Sequence, residues 1–197
     1  MRTNQLPEFI RLNYEIHEWR HAQAILRHDF PEEYSEIVDV LMRFRLLKSW
    51  LTVGGGRKSK VSEWIDGELL KKHGWVPKNF DTKIIVDEQT FESPTHEVDC
   101  FKNRVALEIE WNNKDPFFDR DLNNFRLLFD LRVISVGVIV TRCDDLQEIF
   151  DALGRGDSYG ASTTHMSKLL PRIQGGGGAG CPILVFGIKK TLYVQDS

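Results

Sequence analysis

The chain has 197 residues, 41% of them hydrophobic and 28% charged, which suits a globular domain with a sizeable core. No apolar run reaches the ~20 residues that span a bilayer, so a helical membrane protein is excluded. The net charge of −3 argues against a sequence-blind coat for nucleic acid, although carboxylates gathered at a site would lower the total without removing a local basic surface.

Taken in chain order, MRTNQLPEFIRLNYEIHEWRH lacks the apolar core of a secretory signal. Cys100, Cys143 and Cys181 are too scattered for a disulfide framework or a paired-cysteine metal knuckle. The expectation is a reduced, cytoplasmic protein with no membrane partner. Residues 9–19 fit a strand or an early helix, and both readings stand. Residues 32–47 set Tyr34, Ile37, Val38, Leu41, Phe44 and Leu47 at helical spacing, and residues 62–73 form a second helix ended by Gly74. The period then changes to two. TKIIVDE (82–88), EVDCF (97–101), RVALEIEW (104–111), VISVGVIV (133–140) and PILVFGI (182–188) read as strands.

Asp115-Pro116 predicts a helix start, with Asp as N-cap and Pro at the first helical position. Phe118, Leu122, Phe125 and Phe129 follow along one face, and a short helix over Asp145–Leu153 closes at Gly154. Strands alternating with helices predict an α/β (α+β) fold, a central mixed β-sheet flanked by helices. Nothing splits the chain, so residues 1–197 are read as a single domain. It would have a helical N-terminal part over about 1–75 and a sheet core over about 80–190.

The informative stretch is VDCFKNRVALEIEW, residues 98–111. Alternation puts Val105, Leu107, Ile109 and Trp111 on one face and Ala106, Glu108 and Glu110 on the other. With Lys102-Asn103 as a two-residue turn, Phe101 pairs with Arg104 and Asp99 with Ala106, so Asp99 joins the two glutamates. Converging carboxylates repel unless a cation sits among them, and all-oxygen sites suit Mg²⁺. This points to metal-assisted phosphodiester hydrolysis. A solvated strand face with the same alternation is the other reading.

These residues resemble the PD-(D/E)xK nuclease core, and in detail the BglII/BstYI type II restriction endonucleases. The resemblance rests on Asp99, Glu108-Ile109-Glu110 and FKNRVALEIEW, with further matches at Leu69 to Trp75, Val136-Gly137-Val138 and Pro182 to Ile188. Position 98 is Val rather than Pro. Position 110 is Glu where BglII and BstYI have Gln and most of the superfamily has Lys, which is similar to BamHI. The resemblance implies a restriction-endonuclease-like core with Asp99, Glu108 and Glu110 as catalytic and metal-holding residues. Glu110 could serve as base, ligand or water-positioner. It also implies a helix-borne acid, for which Glu63 is chosen over Glu68; a glutamate interacting with the helix dipole is the alternative.

For DNA contact, Arg57, Lys58 and Lys60 form a basic loop suited to phosphates. It lacks Walker A spacing, which argues against an NTPase. Asn112, Asn113 and Lys114 follow the catalytic strand. In the resembled branch the position of Asn113 contacts a base, while turn chemistry is the alternative. Ser162, Thr163, Thr164 and His165 resemble the recognition region before the C-terminal helix, or supply its N-cap. No histidine spacing such as HExxH suggests zinc.

The resemblance therefore implies a type II site-specific deoxyribonuclease of a restriction-modification system. Its substrate is double-stranded DNA, its cofactor Mg²⁺ (Mn²⁺ as substitute), and its genetic partner a cognate DNA methyltransferase. It would be a homodimer cutting both strands of a short palindrome, with the helix from Asp119 to Asp130 as candidate interface. A nuclease of repair or modified-DNA restriction, or an inactive DNA-binding relative, is the alternative.

Overall fold

The computed structural model describes residues 6–53 and 58–196. Glu8–Asn13 (α1) leads straight into Tyr14–Trp19 (β1), so the ambiguous segment is a helix followed by a strand. Then come Ala22–Asp29 (α2), Pro31–Arg43 (α3), Leu46–Leu47 (β2), Lys48–Thr52 (α4) and Lys60–His73 (α5). The middle of the chain forms Val76–Lys78 (β3), Asp81–Val86 (β4), Gln89–Pro94 (β5), Val98–Lys102 (β6) and Val105–Glu110 (β7). The remainder is Phe117–Asp130 (α6), Val136–Arg142 (β8), Gln147–Ala152 (α7), Met166–Gln174 (α8), Ile183–Ile188 (β9) and Tyr193–Val194 (β10).

The sheet has six strands in the order β1-β9-β8-β7-β6-β3. β7, β8 and β9 run parallel, while β1, β6 and β3 are antiparallel to their neighbours, which makes it mixed. The N-terminal part is therefore not purely helical: β1 forms one edge of the sheet. One face of β7 (Val105, Leu107, Ile109) packs with apolar residues of α1 to α5 and α7, such as Ile10, Leu26, Leu41 and Ile65. The other face carries Ala106 and packs with α6 and α8 through Phe118, Leu122, Phe125 and Leu169. A helix on each face of a sheet buries both of its apolar surfaces.

Several local expectations shift for identifiable reasons. The 32–47 helix ends at Arg43, and Phe44 turns into extended backbone, so that Leu47 sits in β2. The α5 helix has clear ends. Ser59 caps it by accepting from Ser62 N at 3.0 Å, and Gly74 closes it at φ 71°, a left-handed conformation glycine tolerates. Asp115 is not the N-cap of α6. Asp115 and Pro116 form a preceding turn, α6 starts at Phe117, and the Asp115 carboxylate lies 3.4 Å from Arg172 Nη2. TKIIVDE does not join the sheet; β4 pairs with β5 as a separate hairpin that turns at Asp87, φ 53°.

Candidate active site

The β6–β7 turn is Asn103-Arg104, both at positive φ (43° and 70°), one residue later than the sequence suggested. Such a turn matches the twist of the flanking strands. The pairs are Lys102 with Val105, Phe101 with Ala106 and Cys100 with Leu107, so the predicted register is corrected by two residues. An even shift leaves every side chain on its face. Asp99 thus stays with Glu108 and Glu110. Beyond Cys100 the two carboxylates take over the link between strands. Asp99 N donates to Glu108 Oε2 at 3.2 Å, and Ile109 N donates to Asp99 Oδ2 at 2.9 Å.

Glu110 ends β7 almost fully buried. Asn113 Nδ2 donates to its Oε2 at 2.8 Å, and Arg120 Nη2 lies 3.5 Å from its Oε1. Its backbone carbonyl accepts from Thr141 Oγ1 at 2.9 Å. The α6 helix lays Asp121, 0% exposed, against this face. Arg120 donates to Asp121 Oδ1 from Nε and Nη2 at 3.1 and 3.0 Å. His96 Nε2 sits 3.1 Å from both Glu108 Oε1 and Asp121 Oδ1.

Burial, reinforced by the neighbouring carboxylates, pushes Glu108 and Glu110 well above the usual carboxylate range, and burial raises Asp99 as well. Burial disfavours charge on His96, but its hydrogen bonds to Asp121 and Glu108 outweigh this and raise it to about 9.

For the helix-borne acid, the structure sets three residues of α5 in different surroundings. Glu63, in the first turn of α5, is exposed and pairs with Lys60 at 2.7 Å. Glu68 pairs with Arg43 and, at 2.6 Å, with Lys72. Asp66, one turn beyond Glu63, is the acid that reaches the sheet. It is buried, its Oδ1 accepts a 3.9 Å contact from Cys100 Sγ, and the Lys58 ammonium pairs with it. Burial raises Asp66 to about 6 despite Lys58, and the nearby Asp99 adds to the rise.

Two of the three segments expected to meet DNA, 112–114 and 162–165, are brought together beside Glu110. Lys114 and Thr163 form an antiparallel bridge, Thr164 N donates to Asn113 O at 2.8 Å, and Asn113 N donates to Thr164 Oγ1 at 3.2 Å. Buried Arg142 pins the second segment by donating to Tyr159 O and Thr163 Oγ1 at 2.8 and 2.7 Å. Thr164 is fully buried and the Thr163 hydroxyl bonds with Arg142 and Gly160, so both hydroxyls help hold the segment together. His165 is the N-cap residue of α8 but makes no side-chain cap, and it is buried 3.5 Å from Asp144. Asn112 takes a positive φ of 57°. Lys114, Ser162 and Lys60 are exposed, Lys58 is held by Asp66, and Arg57 lies outside the described residues.

Sequence reasoning missed Asp66, His96 and Asp121. A signal existed for two of them. Asp121 falls on the apolar stripe of Phe118, Leu122 and Phe125, and Asp66 falls beside Ile65 and Leu69, where a solvated acid does not belong. His96 carried none.

Among the described residues, five carboxyl groups (Asp66, Asp99, Glu108, Glu110, Asp121) face three basic ones (Lys58, Arg120, His96). Burial keeps Glu108 and Glu110 from ionising freely, and a cation bound among them would favour their charged forms. Asp99, Glu108 and Glu110 set carboxyl oxygens together on one face of the hairpin, a donor set that fits a divalent ion.

A mixed sheet flanked by helices, with acids clustered on its central hairpin, is a restriction-endonuclease-like fold. The sequence model of one family, restriction endonuclease BglII/BglIII, matches residues 14–188, and the chain belongs to that family. It is a nuclease of the hydrolase class whose substrate is DNA. No curated protein matches the chain. No described helix is long and apolar enough to cross a membrane.

Proposed function

We propose that this chain is a type II restriction endonuclease that works as a single domain. With Mg²⁺, or Mn²⁺ in its place, it hydrolyses phosphodiester bonds on both strands of a short palindrome as a homodimer. The observation that carries the reading is the reciprocal latch at the hairpin. Asp99 accepts from Ile109 N and Glu108 accepts from Asp99 N, which fixes a half-buried and a buried carboxylate on one face with Glu110 next to them. Asp99 and Glu108 would hold the ion, with Glu110 and Asp66 flanking. When bound, Mg²⁺ supplies Lewis-acid polarisation of the phosphoryl group and makes water more acidic.

The chain's own groups do the rest. Glu110, held by Asn113, would in its ionised form accept a proton from water attacking the phosphorus, and its raised pKa makes that carboxylate a stronger base. Exposed Lys114 and Ser162 flank the site and are suited to contact the DNA backbone, with Lys60 further out on α5. Asn113 remains the candidate for a base contact, now through a side chain that also positions Glu110. The exposed side of α6, with Asp119, Asn123, Arg126 and Asp130, carries both charge signs and suits pairing with a second copy about a two-fold axis. A cognate methyltransferase protects the host DNA, and the cytoplasm is where both would act.

The test is incubation of plasmid and genomic DNA with Mg²⁺ or with EDTA, followed by sequencing of the ends. Discrete fragments with one shared palindromic terminus, absent under EDTA, support the proposal. Uncut DNA with Mg²⁺, or ends without common sequence, overturn it.

A further inference from the structure

His96, Glu108 and Asp121 come from the loop before β6, the middle of β7 and the first turns of α6. One ligand atom from each lies within 4.8 Å of the others. We propose that these three residues form a second cation site, selective for a first-row transition ion such as Zn²⁺ or Co²⁺ over Mg²⁺. This goes beyond the phosphodiesterase reading, with which it shares only Glu108.

The first argument is geometric. His96 Nε2 is 3.1 Å from Glu108 Oε1 and 3.1 Å from Asp121 Oδ1. A ring nitrogen carries at most one hydrogen, aimed along the ring plane, so it cannot direct a full bond at two oxygens together. Ligand atoms each ~2.1 Å from one ion, at octahedral or tetrahedral angles, lie about 3.0–3.4 Å apart. The two His96 distances fall in that range, and the Glu108 and Asp121 oxygens lie within 4.8 Å of each other.

The second argument is the unmet polar group. Asp121 is 0% exposed, its buried Oδ2 accepts from no N–H donor, and the Glu110 carboxyl lies within hydrogen-bond reach of Asp121, so two buried acids crowd each other there. A buried carboxylate oxygen without such a donor is costly, and an ion beside it would remove the cost.

The third is the set of supports behind the ligands. Arg120 holds Asp121 Oδ1 through two nitrogens, Asp99 N holds Glu108 Oε2, and Asn124 Nδ2 donates to the His96 carbonyl at 3.4 Å. Such outer contacts orient ligands around metals. The ion class follows from the donors. Carboxylates alone suit Mg²⁺, whereas an imidazole nitrogen shifts preference toward zinc and its neighbours.

The experiment uses EDTA-stripped full-length protein without DNA, titrated calorimetrically with Co²⁺ alone and with Mg²⁺ alone. X-ray absorption of the zinc-loaded protein gives a second readout. Wild type and Asp99→Asn should bind at least one Co²⁺ equivalent tenfold or more tightly than Mg²⁺, and wild type should show an imidazole shell around zinc. His96→Ala and Asp121→Asn should weaken that equivalent at least tenfold, and His96→Ala should lose the imidazole shell. Should Asp121→Asn fail to fold, His96→Gln, which keeps a polar side chain, gives the same test. Co²⁺ affinity within twofold of wild type in the His96 variants, or an oxygen-only shell in wild type, overturns the proposal. A separate Mg²⁺ cleavage assay distinguishes the two sites: Asp99→Asn should lose cleavage there and still retain the Co²⁺ equivalent in the DNA-free titration.

Discussion

Asp99 and Glu108 support each other through backbone donors, so each carboxylate is both a candidate ligand and a pin between strands. Asp99→Ala and Glu108→Ala should each abolish Mg²⁺-dependent cleavage while specific binding, measured by filter retention in Ca²⁺, stays largely intact. Nicking within tenfold of wild type would remove these residues from the metal site. Glu110→Gln keeps an oxygen to accept from Asn113 Nδ2 and should retain measurable activity, whereas Glu110→Lys buries a second cation beside Arg120 and should lose it. The two candidate acids of α5 separate cleanly. Asp66→Ala should reduce the cleavage rate by roughly 10–100-fold, the range seen when groups that support a metal site are removed. Glu63→Ala, exposed and paired only to Lys60, should cleave at the wild-type rate. Single-turnover assays of the pair decide which side chain serves the site. Equal effects would show that α5 contributes no acid.

At the scale of elements, α6 is the part on which the site most depends, because it carries Arg120 and Asp121 and rests on the sheet through Phe125. The contact is close. A Cβ at Gly137 on β8 would lie 2.4 Å from Phe125 Cδ2. Gly137→Ala must push the ring and helix outward, at a cost of about 1–3 kcal/mol for overpacking. A urea titration should show a lower midpoint with unchanged slope, and cleavage should fall further than stability alone explains, since Asp121 moves with the helix. Unchanged stability and activity would mean that α6 adapts freely. The same coupling joins Asn113 to Thr164. Because both backbone groups of Asn113 are paired, Asn113→Ala should leave the loop in place and remove only the amide. If that amide reads a base edge, cognate affinity drops by roughly 1–3 kcal/mol while binding to scrambled duplex holds. Equal weakening on both duplexes would make it a positioning group for Glu110 alone.

For the whole molecule, buried acids held above their usual range predict that a cation binding among them stabilises the fold. Millimolar Mg²⁺ should raise the thermal midpoint, by about 2.7 kcal/mol of stability at a hundredfold excess over Kd, and Glu108→Gln should blunt the gain. A midpoint indifferent to Mg²⁺ in wild type would argue that His96, Arg120 and Lys58 already neutralise the cluster. What could be read from the residues themselves was whatever repeats locally. The two-residue period of 105–110 named the faces of β7, and the helical stripes of α5 and α6 together with Gly74 named those helices. The triplet Asp99, Glu108 and Glu110 was legible because an even register error returns each side chain to the same face. Where the β4–β5 hairpin lies, that β1 closes an edge of the sheet, and that 112–115 and 162–164 meet were not legible, since each depends on contacts between distant segments. The same holds for the surroundings of the triplet. Whether Glu63 or Asp66 serves the site is set by how deep each turn of α5 sits against β6, and His96 joins Asp121 only when α6 lies down on the sheet. A strand's alternation is a property of consecutive residues, but the depth of a helix and the neighbour of a loop are fixed by packing of the entire core.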